Sequence, residues 1–241
     1  MITFDFDDTS TDFITKISPP IQLDRTKEYE AAFISLETYN SIPNISSDNN
    51  IFKYSNNNGS TWKIITLPTG AYEIEAINNE ILRNMIINGD SGEDTFYINI
   101  DANISTQSSI VNITNTNYRV DFSVTNSIGS MLGFDSAILN SGYNISPRPV
   151  DIMKVNSIRV NIDDIIEGSY VKGIPGPTIY SFFPRASPGS KVIERPTYPI
   201  FYSISLYYIS YIRLWLSDQN GNPIDLRGES LSVRIALREK K

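Results

Sequence analysis

Two stretches near the carboxyl end alternate between apolar and polar residues, and this alternation constrains the fold more than any other feature of the chain. In YIRLWL, Ile212, Leu214 and Leu216 fall on one side and Tyr211, Arg213 and Trp215 on the other. In LSVRIAL, Leu231, Val233, Ile235 and Leu237 share a side. A period of two puts alternate side chains on opposite faces of an extended backbone, so both stretches read as strands with one buried face.

The same signal recurs upstream. IFKYSNNNGSTWKIITLP reads as two strands around an Asn/Gly turn: NNNG tolerates positive φ, and Phe52, Tyr54, Trp62 and Ile64 offer alternating faces to pack. EAAFISLETY, TFYINI, SSIVNI, NYRVDFSV, VNSIRVNI, PTIYSFF, SKVIE and the long IFYSISLYYISYIRLWL carry the β-branched and aromatic residues of further strands. SIGSMLGF reads as a short turn or single helical turn, and residues 137–151 as loop.

One segment breaks the pattern. In AYEIEAINNEILRNMI, Ile77, Ile81, Leu82, Met85 and Ile86 recur at helical spacing, predicting an amphipathic helix near residues 71–86. Its cap is expected near Thr69, with Glu73 and Glu75 favouring the positive end, and its apolar stripe is expected to face a sheet.

About ten short strands and one helix predict an all-β chain of the sandwich kind. Residues 1–25, where acidic residues precede the proline pair of SPPIQLDRT, are expected to form an N-terminal arm or linker. No repeat or low-complexity linker divides residues 26–241, which are expected to form a single domain.

The chain has no Cys and no His. That excludes disulfide frameworks, thiolate nucleophiles, Ser-His-Asp arrangements and nearly all zinc sites. Paired carboxylates remain, which makes a glycosidase the natural enzymatic alternative. The net charge of −7 repels phosphate backbones, so no specific nucleic-acid partner is expected. MITFDFDDTSTDF is acidic where a signal peptide is basic, so none is expected, and no window approaches the roughly 18 apolar residues of a membrane span. Five N-x-S/T sequons, at Asn44, Asn58, Asn103, Asn112 and Asn144, read as products of an Asn/Ser-rich composition. ALREKK, with Arg234 and Arg238, reads as a solvated basic end.

DQNGNPIDLRGE places Asp218, Asn220, Asn222 and Glu229 at the spacing of an EF-hand calcium loop. Such a loop needs Gly at its sixth position and helices on both sides, whereas here Pro223 stands there between two strands. The stretch therefore reads as a strand connection, with Asn220-Gly221 as its tight turn, and no metal site is expected. The acidic clusters Asp5/Asp7/Asp8, Asp90/Glu93/Asp94 and Asp163/Asp164 read as solvated loop charges. GDSGED and GIPGP lack the context of a phosphate loop. No catalytic, cofactor-binding or metal-binding residue is assigned, and no cofactor is expected.

The aromatic residues, 14 Tyr and 11 Phe, concentrate in IYSFFP and YPIFYSISLYYISYIRLWL, a composition suited to a sandwich core, a sugar platform or a subunit interface. The order WKIITLPTGAYEIEAINNEI, SIGSMLGF, VNSIRVNIDDIIEGSYVKG, IYSFFPRASPGSKVIERP and LWLSDQNGNPIDLRGESLSVRIAL resembles the minor capsid, or penton, proteins of Polinton/Maverick elements, adintoviruses and virophages. The resemblance runs from about residue 29 to about residue 237. It implies a single jelly-roll of two antiparallel four-stranded sheets, acting as a structural virion protein without catalytic residues. It also implies a homopentamer at the vertex of an icosahedral capsid, next to a major capsid protein of double jelly-roll type. Adenovirus penton bases carry large domains inserted between strands, for which 241 residues leave little room. The alternative from another class is a jelly-roll carbohydrate-binding module or lectin using exposed aromatics between Tyr198 and Trp215.

Overall fold

The structure, a computed structural model, describes all residues except Glu93, Asp94, Asp164, Lys172 and Lys241. In chain order its elements begin with β1 (Ile2–Asp8), β2 (Asp12–Gln22), β3 (Tyr29–Tyr39), β4 (Ile51–Ser55) and β5 (Lys63–Thr66). Helix α1 (Ile74–Ile87) follows, then β6 (Ile98–Asn103), β7 (Ser108–Ile113), β8 (Arg119–Asp121) and a 3-10 turn at Ile128–Ser130. Next come β9 (Ile138–Leu139), β10 (Gly142–Ile145), β11 (Ile158–Ile162), β12 (Tyr170–Val171), β13 (Ile174–Pro175) and β14 (Thr178–Phe182). The chain closes with β15 (Lys191–Glu194), β16 (Tyr202–Ser203), β17 (Tyr208–Ser217) and β18 (Leu231–Glu239). The chain is all-β apart from these helical segments, with more and shorter strands than the sequence pattern predicts.

The strands belong to two compact units, Met1–Ile42 with Val155–Lys241, and Pro43–Lys154. In the first unit the long strands pair like a folded ribbon: β1 with β18, β2 with β17, β3 with β15 and β11 with β14, all antiparallel. Cross-pairing of β3 with β18 and of β11 with β17 closes this ribbon into two sheets, ordered β1-β18-β3-β15 and β14-β11-β17-β2. That is the jelly-roll order. Its core is filled by the predicted faces, with Ile212, Leu214 and Leu216 from β17 and Leu231, Val233, Ile235 and Leu237 from β18 all buried.

The expected arm over residues 1–25 instead supplies β1 and the whole of β2. Phe4 and Phe6 alternate with Asp5 and Asp7 along β1, and Phe6 and Phe13 enter the core. Acidic residues on the outer face mask this alternation in the sequence. The proline pair is accommodated because β2 is an edge strand, where the pairing skips from Lys16↔Tyr211 to Ile21↔Ile209 and leaves Pro19 and Pro20 outside the ladder.

The single domain expected over residues 26–241 is likewise not continuous. Between β3 and β11 the chain interposes Pro43–Lys154, an insertion for which the sequence reading left little room. This second unit has its own apolar core and two sheets, ordered β5-β4-β8-β9 and β10-β7-β6. The predicted hairpin is β4–β5, with Asn58 and Gly59 at positive φ in its turn and with Phe52 and Tyr54 buried, while Ile64 faces solvent. Helix α1 buries Ile77, Ile81, Leu82 and Met85 as expected, whereas Ile86 is 37% exposed. The helix begins after Glu73 rather than near Thr69, and Glu73 makes no side-chain cap bond.

Two further expectations change. Residues 137–151 contain β9 and β10, which continue sheets whose other strands are distant in sequence. The long aromatic run is not one strand: β16 pairs with β3 in one sheet and β17 joins the other, so the chain crosses between sheets at residues 204–207.

Candidate assembly surfaces

The outer face of the β1-β18-β3-β15 sheet is built by alternation. With Phe4, Phe6, Val233, Leu36 and Val192 turned towards the core, Asp5 and Asp7 of β1, Arg234 of β18, Glu37 of β3 and Lys191 and Ile193 of β15 point outward. Arg195, just past β15, lies on the same face. On this face each strand thus carries one sign of charge, and neighbouring strands carry opposite signs. Asp5 accepts a hydrogen bond from Arg234, and Glu37 accepts from Lys191 at 2.9 Å and from Arg195 at 2.8 Å. At the far end of the sheet Arg238 donates to Glu30 at 2.7 Å and lies over the Phe201 ring. Arg234 and Arg238, expected in a solvated tail, are therefore bound across the sheet, and Lys240 pairs with Glu28 at 3.0 Å.

The outer face of the second sheet differs. Tyr211, Arg213 and Trp215 of β17 stand beside Lys16, Ile14 and Asp12 of β2, and Tyr208 stands beside Gln22. Asp12 accepts two bonds from Arg213, at 2.9 and 2.8 Å, and these hold its carboxyl below the usual carboxylate range. The Arg213 guanidinium also lies 4.9 Å from the centre of the Trp215 ring. Ile14, Tyr208 and Tyr211 are each more than half exposed, making this face aromatic where the other is ionic.

Among the described residues each sheet of the jelly-roll keeps unpaired edges. β1 and β15 end the first sheet, with β16 lying along β3 on the β15 side, and β14 and β2 end the second. Beside the free edge of β15 runs a groove of about 890 Å³, lined among others by Phe182, Phe183, Arg185, Ile193 and Arg195. Exposed Tyr198 and Ile200 follow in the chain.

The acidic clusters read from the sequence are placed differently from one another. Asp218 folds its carboxylate onto its own loop, accepting from the backbone N–H groups of Asn220 at 2.7 Å and Asn222 at 2.8 Å and from the Asn222 amide at 3.0 Å. Burial opposes its charge, but these donors outweigh it and lower the pKa. The window is a strand connection, with Gly221 at a φ of +92°. Among the described residues no group of three or more acidic side chains comes together in metal-binding geometry.

Asp90 is no solvated loop charge. It is buried in the second unit, where it accepts from Tyr54 at 2.5 Å, Asn56 at 2.7 Å and Lys63 at 2.6 Å. Burial raises its pKa, but Lys63 foremost and then Tyr54 outweigh that and bring it below the ordinary value. Burial also pushes the Tyr54 hydroxyl well up, and that of Tyr118, which donates to the Asp90 carbonyl, to about 12. Asp8 ends β1, and Asp163, half-buried after β11, donates its N–H to the Arg213 carbonyl at 3.1 Å, while Glu93, Asp94 and Asp164 lie outside the described residues.

The sequence reading missed the charge columns. Their signal was present in the alternation of FDFD in β1 and in Lys191, Ile193 and Arg195 at every second position, but it acquires meaning only once the strand order is known.

A jelly-roll with a second compact unit interposed between its third and fourth long strands defines the chain at the level of fold. No protein-family model matches it, and no curated protein is similar to it. Among solved structures it is similar to the mavirus penton protein, with a TM-score of 0.53 and 11% identity over 99% of each chain. It also aligns with a chain of the Sputnik virophage structure, at a TM-score of 0.42 and 12% identity, over 99% of this chain and 98% of that one. At such identities the likeness is one of fold, and the mavirus protein carries it.

Proposed function

We propose that the chain is a structural virion protein: the penton, or vertex, subunit of an icosahedral capsid, assembling as a homopentamer and contacting a major capsid protein of double jelly-roll type. The observation that carries this reading is the end-to-end likeness in fold to the mavirus penton protein, which spans the jelly-roll and the interposed unit alike. The resemblance of its sequence segments, in their order, to Polinton/Maverick and virophage minor capsid proteins supports it as well. Neither catalysis nor specific nucleic-acid binding is part of the role, and the acidic surface of net charge −7 accords with the latter.

Mass measurement of the purified chain, alone and mixed with its cognate major capsid protein, tests the reading. A vertex subunit enters shells; a chain that stays monomeric in both conditions and is absent from shells is not one. The aromatic face of Tyr208, Tyr211 and Trp215 also favours a second reading, a carbohydrate-binding module. Binding on a glycan array, lost on Tyr211→Ala, is its signature, and a blank array removes it.

A further inference from the structure

We propose that the two free edges of the charged sheet are the two halves of one interface: β15 of one copy receives β1 of the next, so that the sheet continues from copy to copy around a closed ring. The inference rests on the self-assembly in the proposed function and names the surfaces that carry it.

Three observations converge. Strand direction is the first: β1 is antiparallel to β18, β18 to β3 and β3 to β15, so β1 and β15 run in opposite directions. Copies related by rotation about an axis along the strands therefore meet β15 to β1 in the antiparallel sense, which continues the ladder already present. The contact is heterologous, with a different edge on each partner, and such contacts close into rings when the rotation allows.

Charge is the second. Outward residues run acidic on β1 (Asp5, Asp7), basic on β18 (Arg234), acidic on β3 (Glu37) and basic at β15 (Lys191, Arg195). Joining β15 to a following β1 extends this alternation by one step, on the same face, where cross-strand partners of opposite sign stabilise a sheet and like charges oppose it. Pairing β1 with β1 would face acid with acid, and pairing β15 with β15 base with base. The edge charges thus disfavour the two-fold dimers an open edge invites and leave the ring contact. Lys191 and Arg195 are held internally by Glu37, but both side chains are about half exposed or more, and ion pairs in that setting are weak enough to share with a second carboxylate.

Apolar surface is the third. Phe183, Ile193, Tyr198 and Ile200 are exposed along the β15 edge and beside its groove, and Ile2 is exposed on β1. The joint would cover these side chains together with the unpaired backbone groups of both edges.

The chain has no native cysteine, so engineered pairs report this contact without background from native thiols. Asp7→Cys is combined in turn with Lys191→Cys, Ile193→Cys and Arg195→Cys, three neighbouring positions that cover the register of the joint, and each full-length protein is oxidised mildly. Because each copy then bonds two neighbours, at least one pair is expected to give a ladder of covalent multimers ending in a closed species. Its yield should fall as salt rises from about 0.05 to 1 M. Asp7→Cys with Ile64→Cys, a position in the other unit, sets the level of random collision. Ladders no stronger than that control for all three pairs overturn the proposal.

With the Asp7→Cys/Ile193→Cys pair, adding Lys191→Glu and Arg195→Glu should lower the ladder yield roughly fivefold, and further adding Asp5→Lys, on the same outward face, should restore part of it. Failure to restore any of it, in a chain that keeps the wild-type circular dichroism, also overturns the proposal. Shells that contain the chain while no ladder forms refute this interface alone. A ladder from a chain that never enters shells refutes the vertex role alone.

Discussion

The two compact units handle charge in opposite ways. Among the described residues the buried charged side chains are Asp90 and Asp121, both in the interposed unit and each bonded to a lysine of the β4–β5 hairpin, Lys63 and Lys53. The jelly-roll buries no described charge and sets its ions on an exposed face. A buried carboxylate stripped of its partners cannot recover water, so removing one side of such a pair is costly. An exposed pair exchanges its partner for solvent at little cost. Charge in the interposed unit therefore specifies packing, while charge on the jelly-roll remains free to meet another molecule.

The hardest test of this contrast is Asp90→Ala. It removes the acceptor of Tyr54, Asn56 and Lys63 at once, leaving a buried hydroxyl and a lysine without their anion. A loss of about 3 kcal/mol is expected, at the lower end for broken buried pairs because the Lys63 side chain reaches solvent. Urea denaturation measures it, and hydrogen exchange should show faster exchange first in β4, β5 and the end of α1. A loss below about 0.5 kcal/mol, the range of ordinary surface substitutions, would end the distinction.

Lys53→Met is the next step down. It leaves Asp121 buried, with Ser123 as its remaining side-chain donor among the described bonds. It also removes the ammonium that lies 4.9 Å from the centre of the Trp62 ring. A loss of about 2 kcal/mol is expected, read from the same denaturation curves. Asp121→Asn made on the Lys53→Met background should recover part of it by removing the stranded charge, a recovery that lost packing alone would not produce.

Acid should separate the units more gently. Both Asp90 and Asp121 have pKa values lowered below 3.8, burial being outweighed in each case by lysine and hydroxyl donors. Their contribution is thus complete above the ordinary carboxylate range and is lost as pH falls through the lowered folded values. Exchange protection in β4, β5 and β8 is expected to fall below about pH 4 before that of β17 and β18. Asp90→Asn combined with Asp121→Asn should flatten this part of the pH profile.

How far the sequence revealed this depended on whether meaning lay within a segment or between segments. The inward rows of β17 and β18, the β4–β5 hairpin and the stripe of α1 were legible because each is periodic within its own residues. Asp218 was legible because an Asn-Gly turn and Pro223 are local chemistry. The strand character of residues 1–25 was hidden by outward aspartates, and the break at residues 204–207 by an unbroken aromatic run whose halves serve different sheets. Asp90 looked solvated because Tyr54, Asn56, Lys63 and Tyr118 reach it from other parts of the chain. The interposed unit was missed for a related reason: its strands and those of the jelly-roll have the same composition, and only pairing assigns them to separate cores.

The smallest expected effect on stability belongs to Asp5→Asn, and its smallness is informative. Asp5 and Arg234 are each about half exposed, so the carboxylate loses a screened attraction while the amide keeps a hydrogen-bonding oxygen for the guanidinium. Phe4 and Phe6, which anchor β1 from its other face, are untouched. The melting temperature should therefore move by no more than about 1–2 °C. If β1 completes a ladder in the next copy, the same replacement removes a charge from the column that faces Lys191 and Arg195 and should weaken self-association, read as a lower yield of the cysteine ladder. An exposed aspartate that matters only to folding would move both measurements little, and one that only keeps an edge from pairing would raise association when removed. A fall in association without a fall in melting temperature is the outcome that sets the jelly-roll's charges apart from those of the interposed unit.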